Sequence, residues 1–203
     1  MGIQNLQLLT RYGLLVDEFA KHLAIIAKGD RPEIFTRHVL DSLNPASLFA
    51  DPPRTALDVG SGAGFPGIPL AIVWPTTRWF LVESREKKAG FIEKAARDLG
   101  LKNVEVICAR VEDLAPGGAH ELGSTVESAF VRAVGNLPHT LAAVAGVSAP
   151  GARWIYFLGG SGDARGLTAT LGQHGKGARA EAGSFGGSLL HGVIAPTAPP
   201  TLS

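Results

Sequence analysis

A single cysteine, Cys108, is the only thiol in this 203-residue chain. An intrachain disulfide is therefore excluded, and so is a zinc site of the CxxC kind. So low a count fits a reducing compartment. Cys108 lies in the apolar run 104–108 and is expected as a small buried strand residue. Long hydrophobic runs are missing too, since 68–74 falls far short of the roughly 20 residues a membrane helix needs. Met1-Gly2-Ile3-Gln4 lacks the basic region and apolar core of a signal peptide. A soluble, cytoplasmic protein is expected. There is also no surplus of one charge. Lys and Arg number 19 against 18 Asp and Glu, for a net charge of +1. No global basic field announces a nucleic-acid partner, so any such contact has to come from a local patch. His22, His120, His139, His174 and His191 lie far apart without ligand spacing, and no metal is expected. Neither paired carboxylates nor a Ser-His-Asp set stands out.

What is present reads as one domain with a real core. Leu8, Leu9, Tyr12, Leu15, Val16, Phe19, Leu23 and Ile26 recur at helical spacing and predict one amphipathic helix over 3–28. A second helix is expected over 33–49, opened by Asp30 or Arg31 with Pro32 and ended by Asp51-Pro52-Pro53. From Thr55 onward the pattern alternates. Strands are expected at 55–59, 78–82, 104–109, 126–131 and 153–158. Helices are expected at 67–74, at 86–99 with Gly100 as the stop, and at 137–147. This alternation predicts a mostly parallel sheet with helices on both faces, an α/β Rossmann-like fold. The segment 159–187 is glycine-rich and reads as a long loop, or a helix plus loop. A last strand is expected near 188–195, before a frayed tail at 196–203. The expected organisation is an N-terminal helical extension, 1–50, followed by a Rossmann-like domain, 51–203, in a monomer.

The informative segment is Leu57-Asp58-Val59-Gly60-Ser61-Gly62-Ala63-Gly64-Phe65-Pro66-Gly67. A hydrophobic strand runs into three glycines spaced by two and then into a helix. Glycines there permit the sharp turn and let a ligand approach the backbone. Two frames compete. Gly60-x-Gly62-x-Gly64 suits S-adenosylmethionine, whereas Gly62-x-Gly64-x-x-Gly67 satisfies the dinucleotide fingerprint. Asp58 favours the first frame. A carboxylate at the strand's end repels a pyrophosphate but suits a sulfonium and an ammonium. Glu83 ends the second strand, where an acid accepts hydrogen bonds from ribose hydroxyls of either cofactor. Val111 and Glu112, after the third strand, fall where the loop borders an adenine.

His38-Val39-Leu40-Asp41-Ser42-Leu43, the run from Asp58 through Gly67-Ile68-Pro69-Leu70, Arg110-Val111-Glu112 and Arg132-Ala133-Val134 together resemble one family. It is the bacterial guanine-N7 methyltransferase family of small-subunit ribosomal RNA, also called the glucose-inhibited division protein B family. The resemblance covers roughly 12–160. It implies a class I S-adenosylmethionine-dependent methyltransferase fold and small-subunit ribosomal RNA, or the small ribosomal subunit, as partner. Gly60, Phe65, Val111 and Glu112 would contact the cofactor, with Glu83 on the ribose. Arg132 would stand at the cofactor–substrate boundary, and Lys87 and Arg110 would serve the active site or RNA. Arg85, Lys87, Lys88 and Lys94, with Lys21, Lys28, Arg31 and Arg37, could form a phosphate-binding stripe.

Two departures stand out. His22-Leu23-Ala24-Ile25-Ile26-Ala27 replaces the family's Asn-Leu-Thr. The strand at 153–158 ends Phe157-Leu158-Gly159-Gly160, where the family has Leu-Lys-Gly. The missing lysine motivates an alternative, a cofactor-binding homologue with impaired catalysis and a regulatory or interaction role. A nicotinamide-dependent oxidoreductase using the second glycine frame is a further alternative. His38 falls on a helix stripe beside Asp41 and is expected as a core or capping histidine, with an RNA contact as the other reading.

Overall fold

The computed structural model describes residues 2–114, 122, 125–133, 135–158, 166–168, 171 and 177–194. The chain opens with helix α1, Ile3–Ala20, whose buried face is Leu9, Tyr12, Gly13 and Val16. Their spacing of three and four residues makes one apolar stripe. The helix stops at Ala20, earlier than the continuous periodicity suggested. Residues 21–27 form turns instead, because buried Ile25 is carried over onto the core rather than along α1.

Three tightly joined helical segments follow: Lys28–Glu33 and Asp41–Leu48 wound as 3-10 turns, and Ile34–Leu40 between them wound as a π-helix. A single α-helix was the expectation for this stretch. Pro32 and Pro45 lie within the two 3-10 stretches, where a missing N–H and a fixed φ disfavour regular α winding.

Strands and helices then alternate, as expected up to β5: β1 Thr55–Val59, α2 Gly67–Val73, β2 Arg78–Val82, α3 Glu86–Leu99, β3 Val104–Ile107, β4 Val126–Arg132, α4 Leu137–Ala145, β5 Ser148–Leu158, β6 Arg179–Ala182 and β7 Ser188–Val193. The sheet order is β3-β2-β1-β4-β5-β7-β6. Strands β1 to β5 pair in parallel, while β7 runs antiparallel to both β5 and β6. Strand order reverses between β1 and β4, the place where open α/β sheets bind ligands.

Side chains alternate across the strands and build two cores. On one face Ala56, Trp79, Leu81, Phe130 and Ile155 meet α1, α2 and α3. On the other, Leu57, Phe80, Val131 and Trp154 meet α4 and the turn Val111–Leu114. Local signals set the helix ends. Gly100, with φ of 71°, closes α3 and donates to the Ala96 and Arg97 carbonyls. Asn136 caps α4 by accepting from the His139 amide.

Two smaller expectations were wrong. Cys108 is exposed, because β3 ends at Ile107 and the chain turns away there. Part of the presumed loop, Arg179–Ala182, is an edge strand with every residue exposed. It carries no apolar alternation to announce it. The segment 159–165, the tail 195–203 and Val134 lie outside the described residues, so the missing lysine at 159–160 does too.

Candidate functional site

All three glycines of the loop after β1 adopt left-handed backbone, with φ of 69° at Gly60, 61° at Gly62 and 92° at Gly64. L side chains pay a steric cost in that region, which is why the sequence repeats glycine here. The loop is also held from below. The amides of Gly60 and Ser61 donate to the Val82 carbonyl at 2.8 and 3.0 Å, and those of Gly64 and Phe65 to the Ser61 carbonyl at 2.7 and 3.0 Å. The Gly62 amide donates to Glu83 Oε2 at 2.9 Å, and the Gly67 amide to Asp58 Oδ2 at 3.0 Å. A phosphate cradle needs such amides free and pointing at the ligand. Here they are engaged within the protein, and two of their acceptors are carboxylates.

Above the loop lies a cavity of about 430 Å³. Gly60, Gly62, Phe65, Glu83 and Arg132 line it, together with Ser61, Asp30, His38, Arg85 and Lys88. Glu83 is 7% exposed and accepts from the amides of Gly62 and Arg85, one on each oxygen. Each oxygen keeps a lone pair for a further donor such as a ribose hydroxyl. Phe65 is sandwiched: His38 stacks on it with ring centroids 5.1 Å apart, and Tyr12 tilts against it at 5.2 Å. The Tyr12 hydroxyl donates to the Ala63 carbonyl, so α1 buttresses the loop. Burial drives the Tyr12 hydroxyl well above its ordinary pKa and keeps it a donor. Sequence reasoning gave Tyr12 only a place on the apolar stripe and did not single out Asp30; one hydroxyl on that stripe was the signal for Tyr12.

Asp58 does not line the cavity. It is fully buried beneath the loop, with Oδ2 on the Gly67 amide and Oδ1 unpartnered. Burial pushes its carboxyl up to about 7, partly opposed by the Gly67 N–H. The sequence expectation was a direct contact with a cationic ligand; the carboxyl here faces the Gly67 amide beneath the loop instead. Gly64 also faces away, since a Cβ there would meet Ile68 and the Tyr12 hydroxyl at 2.8 Å. Val111 turns into the second core with Leu114, and exposed Glu112 pairs with His139 at 3.2 Å. Arg110 and Lys87 are exposed, and neither is among the residues lining the cavity.

Arg132 ends β4 at the cavity's edge. Its Nη2 donates to Asp41 Oδ2 at 2.8 Å and to the Arg37 carbonyl at 2.7 Å. The guanidinium also lies over the Phe157 ring, 5.1 Å from its centroid. Burial lowers its pKa, against the pull of Asp41. Asp41 is raised by burial, with Arg132 opposing. The next residue, Ala133, has φ of 53°, an uncommon conformation for a residue with a Cβ. His38 is lowered first by burial and then by the Arg132 charge, and its Nε2 stands 3.4 Å from Asp30 Oδ2.

Half of the expected basic stripe is paired with carboxylates. Arg31 pairs with Asp17, Lys94 with Asp98, Lys21 with Glu18, and Arg37 with Asp30 and Glu33. Arg85 and Lys88 remain at the cavity, and Lys87 and Lys28 are exposed.

A seven-stranded sheet with one reversed strand, a three-glycine loop with inward amides and an acid at the end of β2 define a class I S-adenosylmethionine-dependent methyltransferase. Solved structures agree on that fold. A cofactor-bound structure of Rv0187 from MTB superimposes with a TM-score of 0.61 at 20% identity, over 93% of this chain and 90% of that one. A SAM-dependent methyltransferase from Aquifex aeolicus does so with a TM-score of 0.56 at 18% identity, over 77% of this chain and 92% of the other.

Residues 5–165 match the family described as rRNA small subunit methyltransferase G, and the chain belongs to it. It is 42% identical to the ribosomal RNA small subunit methyltransferase G of Solibacter usitatus, over 74% of this chain and 68% of that protein. It is 41% identical to the protein of the same name from Rubrobacter xylanophilus, over 66% of this chain and 51% of that protein. The cofactor is S-adenosylmethionine. Neither alternative drawn from the sequence, the impaired homologue or the nicotinamide enzyme, gains support from these likenesses.

Proposed function

We propose that this protein transfers a methyl group from S-adenosylmethionine to N7 of a guanine in small-subunit ribosomal RNA, in the cytoplasm. The observation that carries the reading is a loop whose amides are engaged inward over two acids, opening onto a cavity that Arg132 borders. The cofactor supplies an electrophilic methyl group on a positively charged sulfur. Its fit rests on the donor set: Glu83 offers lone pairs for a ribose, and no free row of loop amides invites phosphate.

Guanine N7 already carries a lone pair, so the protein needs no strong general base. Its task is alignment in a space screened from water. Phe65 and His38 form the aromatic wall, and Tyr12 fixes the loop behind them. Arg132 positions: its Nη2 is tied to Asp41 and the Arg37 carbonyl, which sets its orientation at the boundary. A cation near the base opposes the positive charge that N7 methylation brings, so proton transfer is not its role. Arg85, Lys87, Lys88 and Arg110 are assigned to RNA phosphates.

The test is incubation with labelled S-adenosylmethionine and either unmethylated small ribosomal subunits or their naked RNA. Label in 7-methylguanine is expected. Cofactor binding without label in either substrate would sink the proposal and favour the impaired homologue.

A further inference from the structure

Arg132 belongs to two cavities. Beyond it from the loop lies a second space of about 310 Å³, walled by Arg37, Asp41, Leu158, Phe185 and Gly187. It sits at the carboxyl ends of β4 and β5, on the ligand side of the sheet. Its size is at the lower end of the roughly 300–1,000 Å³ range of small-molecule sites.

The wall carrying Phe185 is built with unusual care. Asn44 is 1% exposed, yet its side chain serves only polar partners. Its Nδ2 donates to the Gly186 carbonyl at 2.6 Å and to Asp41 Oδ1 at 2.7 Å, while its Oδ1 accepts from the Phe185 amide at 2.9 Å. Gly187, with φ of 68°, lets the turn press against Asp41, since a Cβ there would meet Oδ1 at 2.6 Å. A buried amide thus pins a distant turn whose tip is an aromatic ring 47% exposed. Half-exposed apolar rings are common on protein surfaces, but this one is fixed by a buried amide at a cavity wall, where its open face can take a flat ligand by stacking.

We propose that this second cavity receives the target guanine, stacked on Phe185, with the Asp41 carboxylate accepting from the base's Watson–Crick edge. The inference rests on the methyl-transfer reading above. Each Asp41 oxygen already accepts one hydrogen bond and retains capacity for another. Guanine presents two neighbouring donors, N1–H and the 2-amino group, which a carboxylate can take together. Adenine has an acceptor at N1 and no 2-amino group, and hypoxanthine lacks the amino group alone. A base turned out of its helix into this space would lie one residue, Arg132, away from the cofactor cavity.

The experiment has two arms, each run on wild type, Phe185→Ala and Phe185→Tyr. In the first, the protein saturated with S-adenosylhomocysteine is titrated with GMP, IMP and AMP, followed by ligand-observed NMR. GMP is expected to bind best. Phe185→Ala should weaken it roughly 5- to 150-fold, the loss of one base–aromatic stack, and Phe185→Tyr should restore it. In the second, kcat/KM for small-subunit RNA should fall by the same factor in Phe185→Ala, with thioether affinity unchanged. Equal GMP affinity in wild type and Phe185→Ala overturns the pocket, as does equal affinity for GMP and AMP, or no GMP binding by wild type. If RNA is labelled at the wild-type rate by Phe185→Ala, the pocket falls and the methyltransferase reading stands. If wild type labels no RNA yet selects GMP through Phe185, the target reading falls and the pocket stands.

Discussion

Replacing Asp58 with asparagine should flatten one component of the pH dependence of stability. The carboxyl is fully buried, with one oxygen on the Gly67 amide and one without a partner. Its folded-state pKa is about 7, against 3.8 for an ordinary aspartate. The native state therefore holds a proton that the unfolded chain has already lost. The corresponding stability is complete below about pH 4, declines as pH rises and is gone above about pH 7. One proton of difference gives about 1.4 kcal/mol per pH unit, so over some three units the loss is on the order of 4 kcal/mol. Asparagine can still accept from Gly67 but does not titrate. Urea unfolding at pH 4.5, 5.5, 6.5 and 7.5 measures the slope in both proteins. Other titrating groups, such as Asp41, are common to both and cancel in the difference. The wild type should lose up to about 1.4 kcal/mol per unit more than the variant between pH 4.5 and 6.5, with the difference levelling off toward pH 7.5. Parallel curves would refute the reasoning, because they would mean that Asp58 is already ionised or that water reaches it.

The same carboxylate predicts that affinity for cationic S-adenosylmethionine rises between pH 6 and 8 more steeply than affinity for the uncharged-sulfur product, as calorimetry would show; Asp58→Asn should remove the difference. Gly60→Asp should abolish cofactor binding, since it puts a side chain on a residue with φ of 69° at the cavity wall; wild-type affinity would refute the loop assignment. Tyr12→Phe leaves the Ala63 carbonyl without its donor, at a cost of about 1–3 kcal/mol in thermal or urea unfolding, with a raised KM for the cofactor. Arg132→Lys keeps a charge but loses the planar guanidinium that lies over Phe157 and reaches Asp41 and the Arg37 carbonyl through Nη2; steady-state kinetics should show kcat on RNA falling at least tenfold while thioether affinity changes little.

The parts of the fold that were readable from the sequence are those whose cause is local. A glycine forced into positive φ, an acid at a strand's end and a strand–helix alternation all leave their mark within a few residues. The unreadable parts depend on tertiary contact. Periodicity continued past Ala20 because Leu23 and Ile26 are apolar for another reason: that segment folds back onto the core. Strand β6 is exposed at every position and so lacks a hydrophobic signature. Asp58 was recognised as important, but its depth beneath the loop was invisible without the neighbours that bury it. The second cavity joins residues 36, 37, 41, 132, 158 and 185–187, and no spacing rule connects segments that far apart.

The inward-facing amides under Gly60 to Phe65 bear on how this protein could be redesigned. Counting glycines cannot distinguish a methyl-donor site from a nucleotide-phosphate site here, because this run of glycines contains both spacings. The direction in which the backbone hydrogens are committed does distinguish them. Converting this turn to hold a diphosphate would start with neutralising Glu83 and Asp58, so that Gly62 and Gly67 are released toward an incoming anion. Adding another glycine would leave the preference where it is.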